Sequence, residues 1–572
     1  MKSNAAVVGS FRSLVPHVRF SIAAFSYCAA FCSLMFLVCG VSATCFAASS
    51  GVPHPLAAVP PMGWNDWTHY QCDYTAQTII ANARALVKTG LASRGYNTVT
   101  IDDCWMQKSR DSDGNLQADP RRFPHGMKSV AQAVHALGLK FGIYEDAGYE
   151  TCGRFAGSGE PDGGGEDHFV EDAQLFASWG VDYLKLDGCN VFLRKGESQE
   201  AAYRRVYKAE SAALRSAGRP IVFSESAPAY FQGNPEWYNV LGWVRDYGQL
   251  WREGSDIQNF EIDNPDLTRF SSVLWNYAYN LPLGRFQSPG NWNDPDFIIG
   301  GDHGMTLAET RSQLALWSMM SAPLILSSDL NLLSPAAIAI LGNKSVLAID
   351  QDPLGRMATL VHRTPSIDVL FKPLRDGDFA VAVLNRGASE AQIVLDPAEL
   401  GFPGDSCRLR AHDLWSDTVQ SATPVLQAAV ASHDTAIWRI HASDSCGSAA
   451  RMGTITRIVP GTKKNLENYA FCLAAPGQIE SCIGTVAEAW EVTSSGALKS
   501  SGGCLAASEG KAFIQPCSAS PEQHWHYALS GNLINASNSQ CLTSSATDAD
   551  TQGLTLQPCG DDLPTQMWSL PN

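Results

Sequence analysis

Positive charge is scarce in this chain. Its 572 residues carry 41 Lys and Arg against 57 Asp and Glu, a formal net charge of −16, which excludes the basic footprint that holds a nucleic-acid partner. Cys-x-x-Cys pairs and His clusters at zinc spacing are also missing, so no metal is expected. No Gly-x-Gly-x-x-Gly follows the first strand-like segment, so a dinucleotide cofactor is not expected either. Past residue 48 no apolar run is long enough to span a bilayer.

Apolar sequence is plentiful, at 45% of residues, enough to fill two to four packed cores in a chain of this length. The first segment places Lys2, Arg12 and Arg19 ahead of an apolar run from Ile22 to Val41 and the small residues around Ala47. This order reads as a signal peptide, residues 1–47, for secretion or delivery to a periplasm. An uncleaved membrane anchor is the alternative. Four of the 16 cysteines lie in this leader, and the remaining 12 are an even number in an exported chain, so disulfides are expected.

Four Gly-led strands then recur, at Gly95–Asp103, Gly138–Tyr144, Gly180–Asp187 and Gly218–Ser224. The repeat of about 40 residues fits a strand, a loop and a helix. Each glycine stands where a preceding helix would end in a left-handed residue. Between the strands, Ile79, Ala83, Leu86 and Val87, and again Met127, Val130, Val134 and Leu137, fall at helical spacing. Every strand ends in polar or aromatic groups: Asp102 and Asp103, Tyr144, Lys185 and Asp187, Ser224 and Ser226. Parallel strands gather such ends on one rim. A (β/α)8 TIM barrel over residues 57–355 is therefore preferred to an open doubly wound sheet.

Lys185 and Asp187 sit two apart on the third of these strands, so both side chains leave on one face. A lysine there would keep Asp187 ionised, as a nucleophilic carboxylate must be. A plain strand-end ion pair is the bland reading of the same spacing.

Six motifs between residues 61 and 296 carry a resemblance: Pro61-Met62-Gly63-Trp64-Asn65-Asp66-Trp67, Ile101-Asp102-Asp103-Cys104-Trp105, Gly142-Ile143-Tyr144-Glu145-Asp146-Ala147-Gly148, Lys185-Leu186-Asp187-Gly188-Cys189, Trp251-Arg252-Glu253-Gly254-Ser255-Asp256-Ile257 and Trp292-Asn293-Asp294-Pro295-Asp296. In this order they resemble glycoside hydrolase family 27, the retaining α-galactosidases and α-N-acetylgalactosaminidases. The resemblance implies Asp187 as nucleophile and Asp256 as acid/base, a pair that retaining hydrolysis uses at about 5 to 5.5 Å. Asp256 would then need its proton kept by burial or by the charge of Asp187, and Arg252 four residues before it would equally suit a helix-surface ion pair. It further implies Trp67, Asp102, Asp103, Tyr144, Lys185, Arg252 and Asp296 around the sugar, no cofactor, and disulfides Cys72–Cys104 and Cys152–Cys189. The substrate would be an α-galactoside in an oligo- or polysaccharide.

The loop Ser224-Glu225-Ser226-Ala227-Pro228-Ala229-Tyr230 departs from the pattern. In the family this loop faces C2 of the sugar, and small residues at Ser226 and Ala229 are the mark of the N-acetyl branch. Glu225, in place of a frequent cysteine, is the side chain that could refill that space. An exo-acting plain α-galactosidase is the expectation, and α-N-acetylgalactosaminidase is the alternative. Glu145, in place of a frequent small residue, is unexplained by sequence.

After Gly355 the helical pattern stops. Alternating segments such as Phe379–Leu384 and Ala436–Ile440 predict an antiparallel β-sandwich over 356–442, with Cys407 and Cys446 as a candidate pair, then a linker at 443–454. From 455 to 572 three units of roughly 40 residues repeat a Cys-Leu and a Trp: Cys472-Leu473 with Trp490, Cys504-Leu505 with Trp525, and Cys541-Leu542 with Trp568. They resemble the ricin-type β-trefoil of carbohydrate-binding module family 13. The tryptophans are expected in its core. Sugar-binding repeats of that type carry Asp after Cys-Leu, where this chain has Ala474, Ala506 and Thr543, so glycan binding by the trefoil is the weaker alternative to a purely structural module. The whole reads as a multidomain enzyme, and the rival of another class is a carbohydrate-binding protein with an inactive barrel. Retention of both Asp187 and Asp256 speaks for the enzyme. β-Arabinopyranosidase and isomaltodextran-cleaving activities are alternatives on the same fold.

Overall fold

A computed structural model of the chain describes residues 56–571 apart from 235, 258–267, 303, 404–405, 459–469, 545–553 and 561–562. The leader, with its expected cleavage near Ala47, lies outside the described residues. Among the described residues no helix is long and apolar enough to cross a membrane.

Eight short parallel strands make the first sheet: β1 (Met62–Asn65), β2 (Thr98–Ile101), β3 (Lys140–Asp146), β4 (Tyr183–Asp187), β5 (Val222–Glu225), β6 (Leu250–Arg252), β7 (Trp292–Asp294) and β8 (Leu324–Leu326). They pair in chain order, and β8 returns to β1. The ring closes where Ile298, just past β7, bridges Leu326 in parallel. The sheet is the expected (β/α)8 barrel, not an open doubly wound sheet.

Helix boundaries follow local chemistry. Thr75 caps the helix Ala76–Lys88 with a reciprocal side-chain pair, and the helix buries Ile79, Ala83 and Leu86 while Val87 stays exposed. Gly180 ends the helix Phe169–Trp179 at φ 89°, a left-handed turn that leads into β4. The sequence places β3 two residues short: the strand continues through Glu145 to Asp146, level with Asp187 on β4.

The second half holds the two β modules. A six-stranded antiparallel sheet, built around the pairing of Phe379–Asn385 with Thr435–Ala442, faces a two-stranded sheet across a core of Val381, Val383, Trp438 and Ile440. In the trefoil, Trp490, Trp525 and Trp568 are buried, and each indole donates to the carbonyl of its repeat's Leu473, Leu505 or Leu542 at 2.6, 2.9 and 2.9 Å. These tryptophans are therefore core, as expected. Ala474, Ala506 and Thr543 are buried beside them.

All three modules touch. Lys372 of the sandwich is buried and donates to Ser318 O, Ser321 Oγ and Ile349 O of the barrel. Arg285 of the barrel lies over the rings of Phe286, Tyr238 and Tyr527 and donates to Leu529 O of the trefoil at 2.8 Å. Disulfides join Cys72–Cys104, Cys152–Cys189, Cys407–Cys446, Cys472–Cys482, Cys504–Cys517 and Cys541–Cys559.

Candidate active site

Asp187 ends β4, half-buried on the rim where the parallel strands finish. Three donors hold its carboxylate. Tyr230 Oη and the Gly188 amide reach Oδ1 at 2.6 and 3.0 Å, and Tyr144 Oη reaches Oδ2 at 3.2 Å. Hydrogen bonds of this kind fix the direction of the carboxylate.

Lys185 does not pair with Asp187. Its ammonium donates instead to Asp102 Oδ2 at 2.7 Å, across the barrel interior, and lies over the rings of Phe297 and Tyr144. Burial works against the charge on Lys185, yet Asp102 first and Asp187 second outweigh it and hold the ammonium above its ordinary value. The contact expected with Asp187 is thus made with another carboxylate. Sequence spacing showed a shared face and could not show which acid across the barrel is nearer.

Asp102 and Asp103 follow the end of β2, where strand gives way to turn, so neighbours in sequence both reach the site. Asn65 Nδ2 also donates to Asp102 Oδ2, at 2.7 Å, and the Asp103 amide donates to Asp102 Oδ1 at 3.0 Å. Asp103 accepts from the Gly153 and Cys104 amides at 2.8 and 2.6 Å. Burial raises its proton affinity, against those donors. Tyr144 is 1% exposed, and its hydroxyl reaches Asp187 Oδ2 at 3.2 Å.

Arg252 ends β6 and is buried between two acids, with Asp296 Oδ1 at 3.0 Å and Asp256 Oδ1 at 2.9 Å. Burial opposes its charge, and Asp296, Asp256 and Asp294 more than restore it. Asp296 holds a positive φ of 80° and is buried; its carboxyl is pushed up to about 6, by burial first, against Arg252 and with the charge of Asp256. The Asp256 side chain is 52% exposed, and residues 253–257, which follow β6, are not helical. The helix-surface pair is thus corrected in its backbone: Arg252 and Asp256 do pair, but not on a helix.

Trp67 opens the short helix Trp67–Tyr70 directly after β1 and is half-buried. Ser226 is buried at the start of the 3-10 turn Ala227–Phe231, Ala229 is partly exposed within it, and the turn delivers Tyr230 to Asp187. Glu225 does not fill the space beside them. It shares the row of Leu186, alternate to the inward Lys185 and Ser224, and is fully buried against Gly248 beneath the helices. Glu145 occupies the same row on β3.

Asn65, which holds Asp102, and Asp146, which holds the loop past Asp187, were missed by sequence reasoning. The signal for Asp146 was present: it follows Tyr144 by two, as Asp187 follows Lys185. Asp146, Cys152, Asp187 and Cys189 cluster within ligand distance, but both cysteines are in a disulfide and offer no thiolate to a metal.

The family profile described as alpha galactosidase A matches residues 59–352, more than half of the chain. The chain belongs to glycoside hydrolase family 27. Beyond the barrel of this family 27 hydrolase, the α-galactosidase C-terminal β-sandwich profile matches residues 364–440 and the ricin-type β-trefoil lectin profile residues 464–568. α-Galactosidase A of Aspergillus niger is 37% identical over 522 residues, covering 89% of this chain and 92% of that one. Among solved structures, α-galactosidase I from Mortierella vinacea is 29% identical with TM-score 0.61, over 69% of this chain and 100% of that one. The Saccharomyces cerevisiae α-galactosidase solved with raffinose is 27% identical with TM-score 0.59, over 68% and 98%. A β-L-arabinopyranosidase from Geobacillus stearothermophilus, 22% identical with TM-score 0.58, over 69% of this chain and 98% of that one, shares the fold alone.

Proposed function

We propose that this family 27 hydrolase releases terminal, non-reducing α-D-galactosyl units from oligo- or polysaccharides with net retention. In the first step an Asp187 oxygen bonds to the anomeric carbon while the bond from that carbon to the glycosidic oxygen breaks. Asp256 gives its proton to the departing oxygen. In the second step water attacks the same carbon, its proton passes to Asp256, and the Asp187 ester opens to a carboxylate. The observation that carries this reading is the three-donor cradle of Asp187 on the loop rim of a closed barrel.

The remaining roles follow from chemistry on the page. Asp102, held by Lys185 and Asn65, accepts from sugar hydroxyls together with Asp103. Trp67 offers a flat apolar face to the C–H side of the ring. Arg252 keeps Asp296 and Asp256 in place by charge. No step calls for a metal or an organic cofactor.

The small pair Ser226 and Ala229, with Glu225 turned away beneath the helices, favours a second reading in which a 2-acetamido sugar is also accepted. Plain galactosides are the main substrate in our reading, as in the Aspergillus niger relative named for that activity. Six disulfides suit an oxidising compartment, and with the leader they support secretion or a periplasmic location. The trefoil belongs to a lectin fold, but its buried Ala474, Ala506 and Thr543 support a structural part in this chain. Proton NMR of the first-formed sugar tests the reading: α-galactose supports it, and β-galactose overturns it. The rate ratio of aryl α-galactoside to aryl α-N-acetylgalactosaminide separates the two substrates.

A further inference from the structure

Asp146 closes β3 in register with Asp187 at the close of β4. It is fully buried, and each of its oxygens takes one backbone amide: Gly148 N on Oδ1 at 2.7 Å and Cys189 N on Oδ2 at 3.1 Å. Cys189 lies two residues past Asp187, so this carboxyl fixes the backbone that leaves the site. The same loops are clasped by Cys152–Cys189 and by Gly148, where an added Cβ would lie 2.3 Å from Cys189 O.

Tyr144 stands between the two acids. Its hydroxyl is 3.2 Å from Asp187 Oδ2 and 3.4 Å from Asp146 Oδ2. One hydroxyl proton serves one acceptor at a time. We propose that Asp146 is a positioning residue of the hydrolysis: it holds the turn behind Asp187 and takes the Tyr144 hydrogen bond while Asp187 is esterified. This inference rests on Asp187 being the nucleophile.

The physical reason is a change of charge. In the free enzyme the anionic Asp187 is the stronger acceptor. As an ester it is neutral, and the hydroxyl gains by turning to Asp146. Burial first, and the charge of Asp187 second, raise the proton affinity of Asp146, against its two amides and with a further push from Asp103. Forming the ester removes the Asp187 part of that push and so favours the ionised form of Asp146, the form that accepts. Tyr230, on the other oxygen of Asp187, has no such second carboxyl among its hydrogen bonds.

A double-mutant cycle of Asp146→Asn with Tyr144→Phe, in the full chain and on an aryl α-galactoside, tests the proposal. Displacement of a reacting group by an ångström costs about 10²-fold. Asp146→Asn is therefore expected to lower kcat by roughly that factor with KM nearly unchanged, and much less when added to Tyr144→Phe. Losses that multiply, or an unchanged kcat, overturn it. Should Asp146→Asn fail to fold, Tyr144→Phe alone decides through the lifetime of the enzyme trapped with a fluorinated galactosyl fluoride. Turnover of that ester at least about tenfold slower supports the inference, since the lost hydrogen bond is a charge-assisted one, and an unchanged lifetime overturns it. If no ester forms on Asp187 the parent reading fails. If it forms but the cycle is additive, only the role of Asp146 falls.

Discussion

Lys185 and Asp102 form a buried ion pair at 2.7 Å that joins β4 to the end of β2 across the barrel interior. The side chains are 9% and 2% exposed, so neither charge has water to fall back on. Breaking such a pair from one side costs about 3 to 5 kcal/mol. Lys185→Met is expected to lower unfolding stability by that order and to weaken substrate binding, because Asp102 loses the buried cation that aims it. Denaturant melts and KM for the aryl galactoside check both halves.

Asp256 is half-exposed and tied to Arg252, which leaves it accessible to a departing sugar. Asp256→Asn should harm substrates with poor leaving groups more than activated aryl glycosides, by a ratio of about 10². Rates on a raffinose-type oligosaccharide and on a nitrophenyl galactoside measure it. Equal losses would count against an acid role.

Three buried carboxyls shape stability. Glu145 and Glu225 flank Leu186 in one row under the helices, and Glu210 lies on the helix Gln199–Ser216; all six oxygens are buried without a hydrogen-bond partner in good geometry. Burial raises all three well above their ordinary 4.5, helped by Asp172 at Glu145 and Glu210 and by Asp246 at Glu225, while Arg110 opposes at Glu145 and the Gly248 amide at Glu225. A folded-state value above the unfolded one means stability fully present below the unfolded value and lost as pH rises through the folded one. Asp368 has the opposite sign. Burial pushes it up, but Arg363 and Arg386 hold it below its ordinary 3.8, so its contribution fades as the medium becomes strongly acid. The melting temperature should therefore peak on the acid side of neutrality and decline toward alkaline pH. A Glu145→Gln, Glu210→Gln, Glu225→Gln triple variant should flatten that decline.

Arg285, set over the barrel rings of Tyr238 and Phe286, holds the trefoil through the Tyr527 ring and the Leu529 carbonyl. Arg285→Ala is expected to cost roughly 2 kcal/mol and to open the junction to protease, while activity on small aryl galactosides stays near normal. Limited proteolysis followed by activity assay reads both.

Much of this was legible in the sequence because its signals are local. Gly95, Gly138, Gly180 and Gly218 all hold positive φ, and the strands they announce carry the site on their tips. The Cys-Leu and Trp repeats became three matching indole contacts. What stayed hidden depends on closure of the ring. Period two put Lys185 beside Asp187, but only the curvature of the barrel brings Asp102 nearer to the ammonium. β6, β7 and β8 have three residues each, too few to show a period, so the surroundings of Arg252 and Asp296 could not be read. Glu225 looked like a candidate for the pocket, and Glu145 had no explanation, until their row in the sheet turned both outward.

The central claim is that Asp187 becomes covalently attached to the sugar. Incubation with a fluorinated α-galactosyl fluoride, followed by proteolysis and mass spectrometry, tests it most directly. The account predicts a single galactosyl adduct on the peptide that carries Asp187; an adduct on another carboxylate, or turnover that never passes through one, would contradict it.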